Sequence, residues 1–173
     1  MPELEDLLSK SYRIFLFDTL EHYEHVIEKL TDYLKIDPHN GTAYNNRGLA
    51  FSEIGKGKEA LLDFAKAMEF SPNDPMPYIN RGDLYERAKP TGRFLEAIED
   101  YSRAIAIDGK DATIHRCRAY ACLEVNRLHD AIDSSSEAIR LDPDFAQTYI
   151  DRSEVYRRLG DDKRAEQDSD IAR

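Results

Sequence analysis

The stretches Tyr44-Asn-Asn-Arg-Gly48, Tyr78-Ile-Asn-Arg-Gly82 and Tyr149-Ile-Asp-Arg-Ser153 are versions of one another. The first position recurs at Tyr44, Tyr78, His115 and Tyr149, in steps of 34, 37 and 34 residues. Four places later stand Gly48, Gly82, Ala119 and Ser153, and three beyond those Phe51, Tyr85, Cys122 and Tyr156. Two alanine columns follow, at Ala60, Ala97, Ala131 and Ala165 and at Ala67, Ala104, Ala138 and Ala172. Each unit closes at Pro38, Pro72, Gly109 or Pro143, and one three-residue insertion between Tyr85 and Ala97 accounts for each step of 37. A period in this range marks a solenoid, in which each unit buries its apolar face on the next.

The small residues let two antiparallel helices approach closely, and the aromatics fill the gap between one pair and the next. A proline cannot continue a helix, and the residue before it is biased away from the helical region. Gly109 is expected to supply the same stop through a left-handed cap. The pattern resembles the tetratricopeptide repeat (TPR) family over nearly the whole chain. That resemblance implies an all-α, right-handed superhelical solenoid of antiparallel helix pairs. A single domain over 1–173 is expected, with a degenerate unit at 7–40, units at 41–74, 75–111 and 112–145, and an incomplete one at 146–173. Unit four departs from the pattern, with His115, Ala119 and Cys122 in place of aromatic, Gly and Tyr.

Arg47, Arg81, Arg118 and Arg152 occupy the place where the family has Leu. An Asp follows on the next helix at Asp63, Asp100 and Asp168, so an internal Arg–Asp ladder is expected, because a guanidinium can bridge a carboxylate bidentately. Unit four has Ser134 there, with Asp133 beside it, and the ladder weakens at that unit.

The resemblance also places a partner-binding groove on the first helix of each unit. Its stripe takes in Asn45, Asn46, Ile79, Asn80, Asp83, Arg87, Arg116, Tyr120, Leu123, Ile150 and Arg157. Ile79, Tyr120, Leu123 and Ile150 are apolar on what should be an open face, and exposed apolar clusters tend to mark binding surfaces. The carboxylate clamp known in this family is excluded: Asn46 and Asn80 match it, but Cys117 and Asp151 stand where a basic residue is needed. A protein or peptide partner, extended or helical, with some basic and some apolar character is expected.

Arg13-Ile-Phe-Leu-Phe-Asp-Thr-Leu20 is irregular, since its consecutive apolar residues cannot all face one core. Either this N-terminal helix caps the stack or it offers Phe15 or Phe17 to a partner. Homo-oligomerisation through Phe15 and Phe17 is one form of the second. Asp18 and Thr19 read as the N-cap of the next helix. Lys89-Pro-Thr-Gly92 reads as an exposed turn.

Charged residues make up 34% and the net charge is -10, which disfavours nucleic acid and anionic membranes. No stretch approaches the roughly 18–20 apolar residues of a membrane span, and the start lacks the features of a signal peptide. Cys117 and Cys122 should point to different sides of one helix, Cys122 inward, so no disulfide joins them. Ordinary thiols fit a reducing, cytoplasmic setting. His22 and His25 form at most a two-ligand pair, where structural zinc wants four, and His115 with Cys122 reads as core filling. No phosphate loop, dinucleotide fingerprint or zinc-protease motif occurs, so no catalytic residue, metal or cofactor is expected. The expected function is a non-catalytic protein–protein interaction module, an adaptor or scaffold. The alternatives are a specialised chaperone or assembly factor, and a non-catalytic TPR region of a larger enzyme or regulator.

Overall fold

A computed structural model describes residues 20–88 and 92–173. Among these residues there are nine helices and no strand: α1 (Leu20–Ile36), α2 (Gly41–Glu53), α3 (Gly57–Phe70), α4 (Met76–Glu86), α5 (Phe94–Ile107), α6 (Ala112–Glu124), α7 (Leu128–Leu141), α8 (Ala146–Arg158) and α9 (Asp162–Ile171). Phe15, Phe17, Asp18 and Thr19 lie outside the described residues, as do Lys89, Pro90 and Thr91. The chain forms two compact units, one ending at Leu84 and the next beginning at Tyr85.

Local chemistry sets the helix ends. The Asn40 side chain accepts from the Ala43 N–H (2.9 Å) at the start of α2, and Asp111 accepts from the Thr113 N–H (2.7 Å) at the start of α6. Such caps satisfy first-turn donors that have no partner inside the helix. Helices α3, α5 and α7 end on a residue outside the helical region, Ser71, Asp108 and Asp142, with φ of -134°, -145° and -141°. Each precedes Pro72, Gly109 or Pro143, as the restriction on the residue before proline requires at two of them. The left-handed cap expected at Gly109 is corrected here. Positive φ among the described glycines occurs at Gly55 and Gly160 (76° each), and the Asp108 N–H already closes α5 on the Ala104 carbonyl (2.9 Å). Gly55, Asn126 (61°) and Gly160 instead turn the chain between the two helices of a pair, a conformation that Gly adopts freely and Asn tolerates.

In the first unit α1 packs on α2 and α2 on α3. The core joins Val26, Leu30 and Leu34 of α1 to Ala43, Tyr44 and Ala50 of α2, with Tyr33 and Phe70 against it. Gly48 is needed for close approach: a Cβ there would stand 2.9 Å from two Phe64 ring carbons. Phe64 is fully buried, which contributes about 2 kcal/mol of apolar transfer. Gly92, after the insertion, is similarly confined, with a Cβ 2.8 Å from the Glu86 carbonyl.

In the second unit α5 packs on α6, α6 on α7, α7 on α8 and α8 on α9. Ala97, Ala104, Ala131 and Ala138 are fully buried and Ala165 nearly so. Cys122 is buried, Cys117 half-buried, and both are free thiols; burial pushes the Cys122 thiol up. His115 is buried with Nε2 3.0 Å from the Gly109 carbonyl oxygen.

The arginine column makes more bonds than the sequence predicts. Arg47 grips Asp63 bidentately, Nε to Oδ2 at 2.7 Å and Nη2 to Oδ1 at 2.8 Å, while Nη1 reaches back to Thr31 Oγ1 (3.0 Å) on α1. Arg152 repeats this with Asp168 (2.7 and 2.8 Å) and Ser136 Oγ (2.9 Å) on α7. Both carboxylates are buried. The hydrogen bonds each guanidinium donates to its carboxylate raise it further above its usual range. Each also lies between two rings, Tyr44 and Phe51 at 5.5 and 5.9 Å, Tyr149 and Tyr156 at 5.9 and 5.8 Å. Arg118 finds hydroxyls instead: Ser102 Oγ at 2.8 Å and Ser134 Oγ at 2.6 Å. In all three cases one arginine ties three helices together, through partners 16 residues behind and 16 ahead. Arg81 and Asp100 fall on opposite sides of the boundary between the two units.

Candidate functional site

Exposure along the expected groove stripe is uneven. In the first unit Asn45, Asn46 and Asn80 are buried. Asn80 donates to Asn45 Oδ1 (2.9 Å) and Asn45 donates to Asn46 Oδ1 (3.2 Å), so these amides are engaged with one another rather than open to solvent. Buried amides need such partners, since an unpaired one costs roughly 1–3 kcal/mol. Ile79 and Asp83 are half-buried on α4, and Arg87, just beyond that helix, is exposed.

In the second unit the stripe of α6 and α8 frames a cavity of about 130 Å³. Arg116, Tyr120 and Leu123 of α6 line it, opposite Thr148, Asp151 and Val155 of α8. Ile150 and Arg157 stand outside this lining. Ile150 is exposed, and Arg157 bonds Ser169 Oγ on α9 (2.8 Å). Leu123 is buried as a wall, while Tyr120 is 49% exposed at the mouth and packs edge-on against Phe94 at 6.0 Å. Burial, reinforced by the Glu124 and Glu86 carboxylates, pushes the Tyr120 phenol up. Arg116 is turned toward Asp142 (3.4 Å) and lies 4.1 Å over the Phe145 ring. Asp151 accepts from the Gln147 amide (2.8 Å). The arrangement offers an apolar recess with an acidic edge and a pinned cation, which suits binding.

Among the cavity-lining residues outside the predicted set are Ser135 and Thr148. Ser135 of α7 lines it and stands one place after Ser134, where repeat two has Phe64 and repeat three Tyr101. Thr148 occupies a column that is apolar in the other repeats, Ala43, Pro77 and Ile114. Thr148 is 2% exposed, and its Oγ1 has no hydrogen-bond partner. The readable signal was the loss of an aromatic at Ser135 and the gain of a hydroxyl at Thr148. Among the described residues no group of three or more His, Cys, Asp or Glu side chains could hold a metal ion. No described helix is long and apolar enough to cross a membrane.

Comparison with known proteins agrees with this architecture. Residues 41–74 match the tetratricopeptide repeat family. Over 83 residues the chain is 35% identical to an inactive TPR repeat-containing thioredoxin, TTL3, of Arabidopsis thaliana, covering 48% of this chain and 11% of that protein. The chain therefore spans only a small part of the length of that relative. The crystal structure of MamA superposes with a TM-score of 0.79 at 20% identity, covering 87% of this chain and 86% of that one. The first TPR domain of Spaghetti (RPAP3), solved bound to the HSP90 peptide SRMEEVD, superposes with a TM-score of 0.64 at 22% identity, covering 69% of this chain and 93% of that one. The repeat register, the helix pairs and these likenesses together show an all-α solenoid of the tetratricopeptide repeat type, with residues 41–74 matching the family itself.

Proposed function

We propose that the chain is a non-catalytic adaptor or scaffold that binds a protein or peptide segment on the α6–α8 face of its second unit. The observation that carries this reading is the cavity between Tyr120, Leu123 and Val155, flanked by the exposed Ile150. A concave, mostly apolar recess with a few convergent polar groups is the usual form of a binding site. The net charge of -10 favours a segment with basic character and disfavours nucleic acid. The RPAP3 domain is solved with a peptide that contains two adjacent glutamates; this chain has Cys117 and Asp151 where the carboxylate clamp needs basic residues, so a different ligand class fits it. The short stretch shared with TTL3 favours a second reading, in which the same module is a non-catalytic region of a longer protein.

The test is affinity capture from native lysate with the chain and with a Tyr120→Ala/Ile150→Ala variant whose melting is unchanged. A protein retained by the first and lost by the second is the expected result. Equal capture by both, or none by either, would overturn the proposal.

A further inference from the structure

The inner wall of the recess is closed: Ser135 is 1% exposed, and Thr148 and Val155 are 2% each. What a partner can reach on this face is the rim, where Tyr120 stands half exposed. Glu124 lies one turn further along α6, so its carboxylate projects on the same side of the helix as the ring. Glu124 is exposed, and among the described residues no Lys, Arg or His forms an ion pair with it. Phe94 of α5 meets Tyr120 with ring centroids 6.0 Å apart and planes at 79°, a preferred edge-on contact that holds the tyrosine ring in place. Besides burial, the Glu124 and Glu86 carboxylates push the Tyr120 phenol up, so negative charge gathers around this ring.

The face of an aromatic ring attracts positive charge, and a carboxylate beside it adds to that pull. The same unit uses such contacts internally. Arg93 lies 4.3 Å over the Tyr85 ring and Arg164 lies 4.6 Å over Tyr156. Among the described residues no Lys or Arg lies over Tyr120. The arginines beside it are committed elsewhere. Arg116, one turn before Tyr120, is turned to Asp142 and Phe145, and Arg93, next to Phe94, bonds Glu96 (2.8 Å).

We propose that Tyr120 and Glu124 seat one basic side chain, lysine or arginine, of a partner segment, with the cation on the ring and within reach of the carboxylate. The inference rests on the peptide-binding reading above and names the side chain recognised on that same face. The net charge of -10 draws a basic segment toward the surface; the ring and its carboxylate decide where the cation settles.

The test pans randomised twelve-residue peptides displayed on phage against the full chain, followed by fluorescence anisotropy with the enriched peptides. The expected peptides carry Lys or Arg. Tyr120→Leu and Glu124→Gln each weaken their binding by about two- to five-fold, the scale of an exposed cation–π or ion-pair contact. Tyr120→Phe retains the ring and binds as the wild type does. So does Glu166→Gln, which removes the same charge from the exposed side of α9. Replacing the basic residue of the peptide by Gln abolishes the sensitivity to Tyr120→Leu and Glu124→Gln, as expected of groups in direct contact. If Tyr120→Leu does not fold, Glu124→Gln with the Gln-substituted peptide decides the matter. Three results overturn the seat while leaving the peptide-binding reading in place: enriched peptides without Lys or Arg, equal binding by the wild type and both weakening variants, or an equal loss in Glu166→Gln. A failure to enrich any peptide overturns both.

Discussion

Arg47 closes on a buried carboxylate between two aromatic rings, whereas Arg118, at the same place two repeats later, reaches only the hydroxyls of Ser102 and Ser134. The difference is not confined to the arginine. Repeat two has Tyr44, Gly48, Phe51 and Phe64 where repeat four has His115, Ala119, Cys122 and Ser135. One repeat is packed with rings and tied by charge. The other has exchanged rings for small and polar groups beside the cavity. Both patterns are closed: Phe64 in the one and Cys122 and Ser135 in the other are almost wholly buried, so small residues and rings reach the same burial with different partners.

The largest effect should come from the charged staple. Arg47→Met leaves Asp63 buried without its counter-ion and should cost about 3–4 kcal/mol, since removing one member of a buried pair exposes the full desolvation penalty of the other. Urea denaturation with tryptophan-free probes such as circular dichroism reads it. Arg118→Met should cost much less, about 1 kcal/mol, because its partners are neutral hydroxyls that retain other bonds. Equal losses at the two positions would break the comparison.

Steric tests sharpen it. Gly48→Ala should destabilise by about 2 kcal/mol through overpacking against Phe64. The reverse change in repeat four, Ala119→Gly, should cost only about 1 kcal/mol, the ordinary difference in helix propensity. Ser134→Asp places the missing carboxylate beside Arg118 and should raise the urea midpoint by the equivalent of about 0.5–1 kcal/mol. A drop would show that repeat four resists the charged staple.

The smallest expected effect is a pH dependence at α9. The Arg164 backbone N–H and then its side chain hold the Asp161 carboxyl below its usual range. A lowered folded-state pKa stabilises above the unfolded value and is lost as pH falls through the folded one, so the contribution fades below about pH 4. Amide exchange in the first turn of α9 should quicken there, and Asp161→Asn should flatten that response.

Much of the fold was legible because small residues at fixed offsets report helix approach directly. Gly48, Ala60, Ala67 and their counterparts carry the register without any knowledge of neighbours. The backward bonds of the arginines to Thr31, Ser102 and Ser136 were not read: these hydroxyls stand in one column, but it belongs to the preceding repeat and Ala65 interrupts it. Periodicity also names a face without saying how far the next helix covers it. Thus Asn45, Asn46 and Asn80 turn out to bond one another, while Tyr120 and Ile150 stay exposed. The cavity was hardest to foresee, since it depends on how the side chains of α6 and α8 meet. Gly109 misled because a glycine after a helix invites a left-handed cap, and the extended Asp108 had already ended α5.

The staples that reach 16 residues in each direction also bear on how such a chain can lengthen. Every guanidinium that makes one recognises only the helices next to its own. Duplication of one whole period keeps these distances intact on both sides of the new joint. A duplication of any other length, placed inside the span, would part an arginine from its carboxylate. The growth of the array by copying is thereby quantised: it proceeds in whole repeats, or by short insertions placed where no such tie must be kept in register.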